Sequence, residues 1–310
     1  MVYKRLQNRI AESRFTLPLT ALLCVVACAI YGVWQRQLWI QFACLSLSTY
    51  MMVLLNNRNA LIRIYSRMVS CSFLMLSITA IFLLSSFKFS ILQLCFIGFY
   101  LFFFLSYQDR SASVKVFYAF CCMGVASTQF IQVLFFVPIL WILMILNVMS
   151  FSLRNLCASL LGLVAPYWFI GSYCVYDGSL DKFIQHFTDI AVFSPLFQYE
   201  QIPLSHWLAF LYVVLVAVIG AFHFINTSYA DKIRTRMLYE TFITIDICAL
   251  VFMILQPQHY DYLLCIMIIN SAPLIGHYIA LTHTWFTNLV FMVLSLGAIA
   301  LTAFQLWISS

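Results

Sequence analysis

Short polar interruptions divide the chain into apolar runs of about twenty residues, the length that carries a helix across a hydrocarbon layer, and this run length constrains the fold more than any motif does. At 64% hydrophobic and 8% charged residues, with a mean hydropathy of +0.98, a chain of 310 residues has too little polar surface to cover a water-soluble fold. Lipid gives bare backbone no hydrogen-bond partner, so the runs must be helices or strands of a closed barrel, and the alternation of barrel strands is absent. The expected fold is all-α, a polytopic transmembrane helical bundle forming a single transmembrane domain over 1–310. The run boundaries predict helices near 15–34, 38–55, 68–86, 89–106, 114–128, 130–149, 155–174, 203–225, 241–256, 262–281 and 285–307.

The basic residues orient this stack. Arg36 and Lys88 sit in the tight turns after the first and third helices, and Lys182 lies in the long loop 175–202. The rest of the sixteen Lys and Arg residues fall on the opposite face: Lys4, Arg5, Arg9, Arg14, Arg58, Arg63, Arg67, Arg110, Lys115, Arg154, Lys232, Arg234 and Arg236. By the positive-inside rule that face is cytoplasmic. With about 11 helices the N-terminus is then inside, and the C-terminus, Ser309 and Ser310, outside. Reading 114–149 as one tilted helix would invert every later loop and erase the charge asymmetry, so a hairpin is expected there. Val25-Val26-Ala27-Cys28 imitates a lipoprotein cleavage box, but the apolar run continues to about Trp34, as an uncleaved first helix would.

The loop 175–202 contains a second pattern. Leu180, Phe183, Ile184, Phe187 and Ile190 recur at helical spacing, with Asp181, Lys182, Gln185 and Asp189 on the other side. This predicts an external amphipathic helix near 179–193, lying in the interface. Pro138, Pro166 and Pro273 fall within crossings, and Asn270-Ser271-Ala272-Pro273-Leu274-Ile275-Gly276-His277 is the strongest candidate for a locally broken helix, the alternative being that Pro and Gly here only bend the helix or let it pack closely. All eleven Cys lie in or at the ends of expected helices, none as Cys-x-x-Cys, and read as small apolar residues. No metal and no cofactor is expected, and Cys-x-x-Cys-His and Gly-x-Gly-x-x-Gly are both absent. Nucleic acid is excluded as a partner, since the net charge of +6 is taken up by orientation.

Three groups of residues could carry chemistry. Asp246 is the one acid placed within a crossing, about five residues from the cytoplasmic end of its helix. His277 and His223 are placed at similar depth, so the three could meet as a proton relay or a helix lock. On the outer side Asp177, Asp181, His186, Asp189, Glu200, His206, His259 and Asp261 form an acidic, imidazole-rich rim. Asp177, Asp181 and Asp189 there are candidate catalytic carboxylates beside the interfacial helix. On the inner side Asn56-Asn57-Arg58-Asn59, Arg63 and Arg67, with Lys232, Arg234 and Arg236, form two basic clusters able to hold the phosphate of an anionic lipid or polyprenyl carrier.

The order of features is distinctive: a basic N-terminus, the Asn- and Arg-rich loop 56–67, Gly124-Val125-Ala126-Ser127 followed by Pro138, Pro166-Tyr167, and the interfacial segment. In this it resembles a family of uncharacterised polytopic inner-membrane proteins of the Bacteroidota, a domain of unknown function. The resemblance covers nearly the whole chain and implies a bacterial inner (cytoplasmic) membrane. The general shape is also similar to that of multi-spanning glycosyltransferases that use polyprenyl-linked sugars. Those enzymes usually carry an acid in the first external loop, where this chain has Gln35-Arg36-Gln37.

Three functions are compatible with these features. The first is a cell-envelope scaffold or accessory subunit, working with other envelope-assembly proteins or handling lipid-linked glycans. The second is a glycosyltransferase-like enzyme acting at the outer interface, and the third a proton-coupled transporter or flippase using Asp246 and His277.

Overall fold

The computed structural model describes residues 5–193, 197, 199 and 202–309. Lys4, Glu200 and Ser310, named above, lie outside the described residues. Helices α1 (Leu6–Glu12), α2 (Thr16–Ile30), α3 (Trp39–Asn59), α4 (Met68–Thr79), α5 (Phe87–Phe103), α6 (Ser113–Gln129) and α7 (Phe136–Leu146) are followed by α8 (Leu153–Tyr176), α9 (Leu180–Thr188), α10 (Leu204–Thr227), α11 (Ile233–Leu255), α12 (Tyr260–Leu281) and α13 (Trp285–Ser309), with short 3₁₀ turns between some of them. The described residues contain no strand. Each expected apolar run folds as a helix, and α9 with the 3₁₀ turn Asp189–Ala191 fills the expected amphipathic segment.

Among the described residues seven helices are long and apolar enough to cross a membrane, or eight if α1 and α2, which meet at 91°, are taken as one span; α4 and the segment Ile131–Leu146 are shorter apolar helices. Backbone geometry explains several boundaries. Ala60 takes a left-handed conformation (φ 48°) that stops α3, and its N–H returns to the Asn56 carbonyl. At α8, the Ser152 side chain accepts the Asn155 N–H as an N-cap.

The stretch 114–149 reverses direction as expected. Gln108 N–H donates to the Val148 carbonyl at 2.8 Å, so the start of α6 and the end of α7 share one end of the bundle. Gln132, between the two helices, reaches the Asp189 carbonyl near α9 at the other end.

At the centre stands α12, buried from Leu263 to Ala280 without interruption. It is the core helix because α4, α5, α10 and α11 enclose it. Within lipid, helices associate through close packing and hydrogen bonds more than through the hydrophobic effect. Two glycines set the closeness here. A Cβ on Gly220 would lie 2.7 Å from the Leu274 carbonyl carbon, and one on Gly276 would lie 3.0 Å from the Val69 nitrogen.

Two expectations are corrected. The segment 270–277 is not a broken helix, since α12 runs through Pro273 as continuous α-helix and α8 runs through Pro166. Enclosure on all sides holds the α12 axis, and the Tyr239 hydroxyl donates to the Pro273 carbonyl at 3.4 Å. Helix α11 starts at Ile233, well before residue 241, because its first two turns bury Thr235, Leu238 and Tyr239 between their charged positions.

Gly220→Ala is expected to destabilise the protein by about 1–3 kcal/mol, because its new methyl meets backbone. Gly297→Ala, whose Cβ would make ordinary contact with the Tyr212 ring at 3.4 Å, should be close to neutral. Thermal unfolding in detergent reads both, and equal losses would contradict close packing at α12.

Candidate functional site

The two ends and the middle of the bundle carry different chemistry. One end gathers the segments bearing Arg63, Arg110, Lys115, Arg154 and Arg234 and is held together by side-chain bonds to backbone. The loop between α3 and α4 is its hub. Asn56 donates to the Ser66 carbonyl and Ser66 to the Ala11 carbonyl, while Gln7 and Asn8 of α1 reach Ile279 and Thr282 at the end of α12. Nearby, the exposed carboxylate of Asp109 accepts from Ser111 and Lys115, and these bonds hold it below the usual carboxylate range.

Within this end lies a buried charged cluster. His277 Nε2 sits 2.9 Å from Asp231 Oδ2, with side chains 1% and 2% exposed. Arg63 approaches the other carboxylate oxygen at 3.9 Å and donates to the Ala230 carbonyl at 3.1 Å. The His223 ring lies 5.6 Å from that of His277, and Phe224 and Tyr239 pack against the same imidazole. Arg234 donates to Asn59 and the Phe104 carbonyl and lies over the Tyr107 ring.

The expected basic clusters are therefore divided. Arg63 and Arg234 tie loops together and Arg58 is exposed. Arg236 is half-buried, its Nε without a partner. Arg67 instead joins Arg14 and Tyr65 around an open crevice of about 690 Å³ floored by Leu17, Pro18 and Ala21. Its Nε donates to the Tyr65 hydroxyl at 3.2 Å.

The earlier start of α11 relocates Asp246 to mid-helix, so it does not share a depth with His277 and His223. It is 5% exposed, and its Oδ2 accepts the Ser271 hydroxyl at 3.0 Å. Its Oδ1 has no partner among the described residues. Beside Ser271, Asn270 accepts the Tyr100 hydroxyl. His277 pairs with Asp231, and Arg234 with Asn59, so neither serves Asp246.

At the far end, Asp177, Asp181 and Asp189 are exposed, and their carboxylates make no hydrogen bond or ion pair among the described residues. Helix α9 leans on α8 through aromatic contacts of Phe183, His186 and Phe187 with Tyr167, which also bonds Ser127. The groove beneath it, about 610 Å³, is lined by apolar and aromatic residues such as Trp168 and Phe187 and includes no carboxylate. The rim is dispersed. His186 stays with Tyr167, His206 meets Asp261 at 3.6 Å under a stacked Phe82, and His259 lies by Phe130.

Sequence reasoning missed Asp231 and Tyr65 and gave Arg14 and Ser271 no part in a site. Asp231 left a signal, as an acid in an otherwise basic loop beside Lys232 and Arg234. Among the described residues no group of three or more His, Cys, Asp or Glu could hold a metal ion. No protein-family model, curated protein or solved structure matches the chain.

Asp231→Ala would leave the buried His277 ring without its partner and is expected to cost about 2–4 kcal/mol. Arg63→Ala should cost less than about 1 kcal/mol, since its side chain is 48% exposed. Comparable losses in detergent melts would remove Asp231 from the centre of this cluster.

Proposed function

We propose that the chain is a multi-pass protein of the bacterial inner membrane, with about eleven crossings, the N-terminus in the cytoplasm and the C-terminus outside, and that it handles phosphate-headed lipid carriers in the cell envelope. The observation that carries this reading is the crevice of Arg14, Tyr65 and Arg67. Arg14 has no partner among the described residues, and Arg67 spends only its Nε, on Tyr65. These guanidinium groups stand above an apolar floor, at the end of the bundle that the charge bias places at the cytoplasmic surface. Guanidinium matches phosphate bidentately, and an apolar floor suits the first carbons of a lipid tail. On the other face of α2 a groove of about 580 Å³ runs toward α13, with Arg9 at its basic end, so both sides of this helix offer a cation above apolar surface.

The reading accords with the resemblance to the Bacteroidota inner-membrane family. It places phosphate recognition at the inner surface; Asp177, Asp181 and Asp189 are left to the interface helix.

Native mass spectrometry with a polyprenyl phosphate tests the site. Arg14→Gln with Arg67→Gln should weaken binding about tenfold or more, from charged hydrogen bonds worth roughly 1.5–3 kcal/mol each. Lys182→Gln should leave it unchanged. Unaltered affinity in the double variant would overturn the site. For orientation, alkaline phosphatase fused after Ser309 should be active and a fusion in the α3–α4 loop inactive; the reverse pattern would overturn the topology.

A further inference from the structure

We infer that Asp246 and Ser271 form a binding site for a small monovalent cation, H⁺ or Na⁺, at the centre of the helix bundle. Thirteen residues beyond the start of α11, at about 1.5 Å per residue, Asp246 stands roughly 20 Å into the helix. It faces α12, where Asn270 and Ser271 are 0% exposed. The hydroxyl donors around it are spent, and so is one of the two Asn270 Nδ2 hydrogens. The single hydroxyl hydrogen of Ser271 goes to Asp246 Oδ2, that of Tyr100 goes to Asn270 Oδ1, and Asn270 Nδ2 donates to the Ile266 carbonyl.

What remains is an excess of acceptors. Asp246 Oδ1 is buried without a partner, Ser271 keeps free lone pairs, and Pro273 has no N–H to offer the Ile269 carbonyl one turn back. Of the titratable groups on the surrounding helices, Tyr100 on α5 reaches Asn270 beside the site; Cys71 on α4, His223 on α10, Tyr239, Glu240 and Cys248 on α11, and Cys265 and His277 on α12 lie elsewhere along these helices, and α7 contributes none. His277 is engaged with Asp231, and among the described residues no Lys, Arg or His pairs with Asp246. An acid with surplus acceptors and no counter-cation, in a site this dry, is electrostatically incomplete. A proton on Oδ1, or a Na⁺ held by Oδ1 and the Ser271 hydroxyl oxygen among its ligands, neutralises it. The enclosure of Asn270 and Ser271 restricts the ligand to something small.

The test is thermal unfolding of the full-length protein in detergent. One series varies pH without Na⁺. The other adds NaCl at fixed alkaline pH against choline chloride at equal ionic strength. A ligand bound by the folded state raises its stability with ligand concentration, so the wild type should melt higher as pH falls if the ligand is H⁺, and higher with Na⁺ but not choline if it is Na⁺. Asp246→Asn, isosteric and uncharged, should still fold and lose that response. No response to either ion in the wild type, or the same response in Asp246→Asn, would overturn the inference. Should Asp246→Asn fail to accumulate, Ser271→Ala decides: the ion concentration at half-response must move at least about threefold, and an unchanged midpoint overturns the site.

Discussion

Helix α12 has no face left for lipid or water, and most of the architecture follows from that enclosure. An unmet polar group in such surroundings costs several kcal/mol, and Asn270, Ser271 and His277 are each met by a neighbour through one atom, His277 Nδ1 staying without a partner among the described residues. Each meeting fixes a different helix. Asn270 holds Tyr100 and with it α5, Ser271 holds Asp246 and α11, and His277 holds Asp231 in the turn between α10 and α11. The last turn of α12 and the residue after it hold Gln7 and Asn8 of α1. Gly220 and Gly276 set how close α10 and α4 come. Shape and hydrogen bonding, not bulk hydrophobicity, give helices in lipid their register, and here both originate from one helix.

This arrangement explains what the sequence disclosed and what it hid. Run length and composition are local properties, so the apolar helices and the amphipathic α9 were legible, and so was the reversal within 114–149. The start of α11 was not, because Arg234, Arg236 and Glu240 make its first two turns look like loop while Leu238 and Tyr239 are buried between them. Helix α1 escaped notice because seven residues are too few for a periodic signal. The pairings were the least legible. Asp231 lies 46 positions from His277, and Arg234 lies 175 from Asn59, and no spacing rule reaches that far. Pro273 misled for a related reason: proline weakens a helix locally, but the packing that holds α12 straight comes from elsewhere in the chain.

The arginines show how one compositional bias serves two purposes. Positive charge at one end of a membrane bundle orients it whatever the side chains touch, so the bias leaves each residue free for a second role. Arg63 and Arg234 have taken structural roles, bonding backbone carbonyls of distant loops. Arg14 and Arg67 have not, and they are the pair that borders an open crevice. Counting cations could not separate the two kinds. Their partners do.

The bundle also holds two buried acids facing the same helix, and it treats them differently. Asp231 is met by an imidazole at 2.9 Å and a guanidinium at 3.9 Å, so its charge is answered from within the protein. Asp246 is met by one hydroxyl, and its second oxygen by nothing. Both lie against α12, one opposite His277 and the other opposite Ser271, less than two helical turns apart. Enclosure therefore does not explain why one acid has a cationic partner and the other has none. A carboxyl kept only for packing would be replaceable by Asn or Leu without leaving an orphaned oxygen. That an acid stands where no resident cation answers it is the reason to assign its complement to a bound cation.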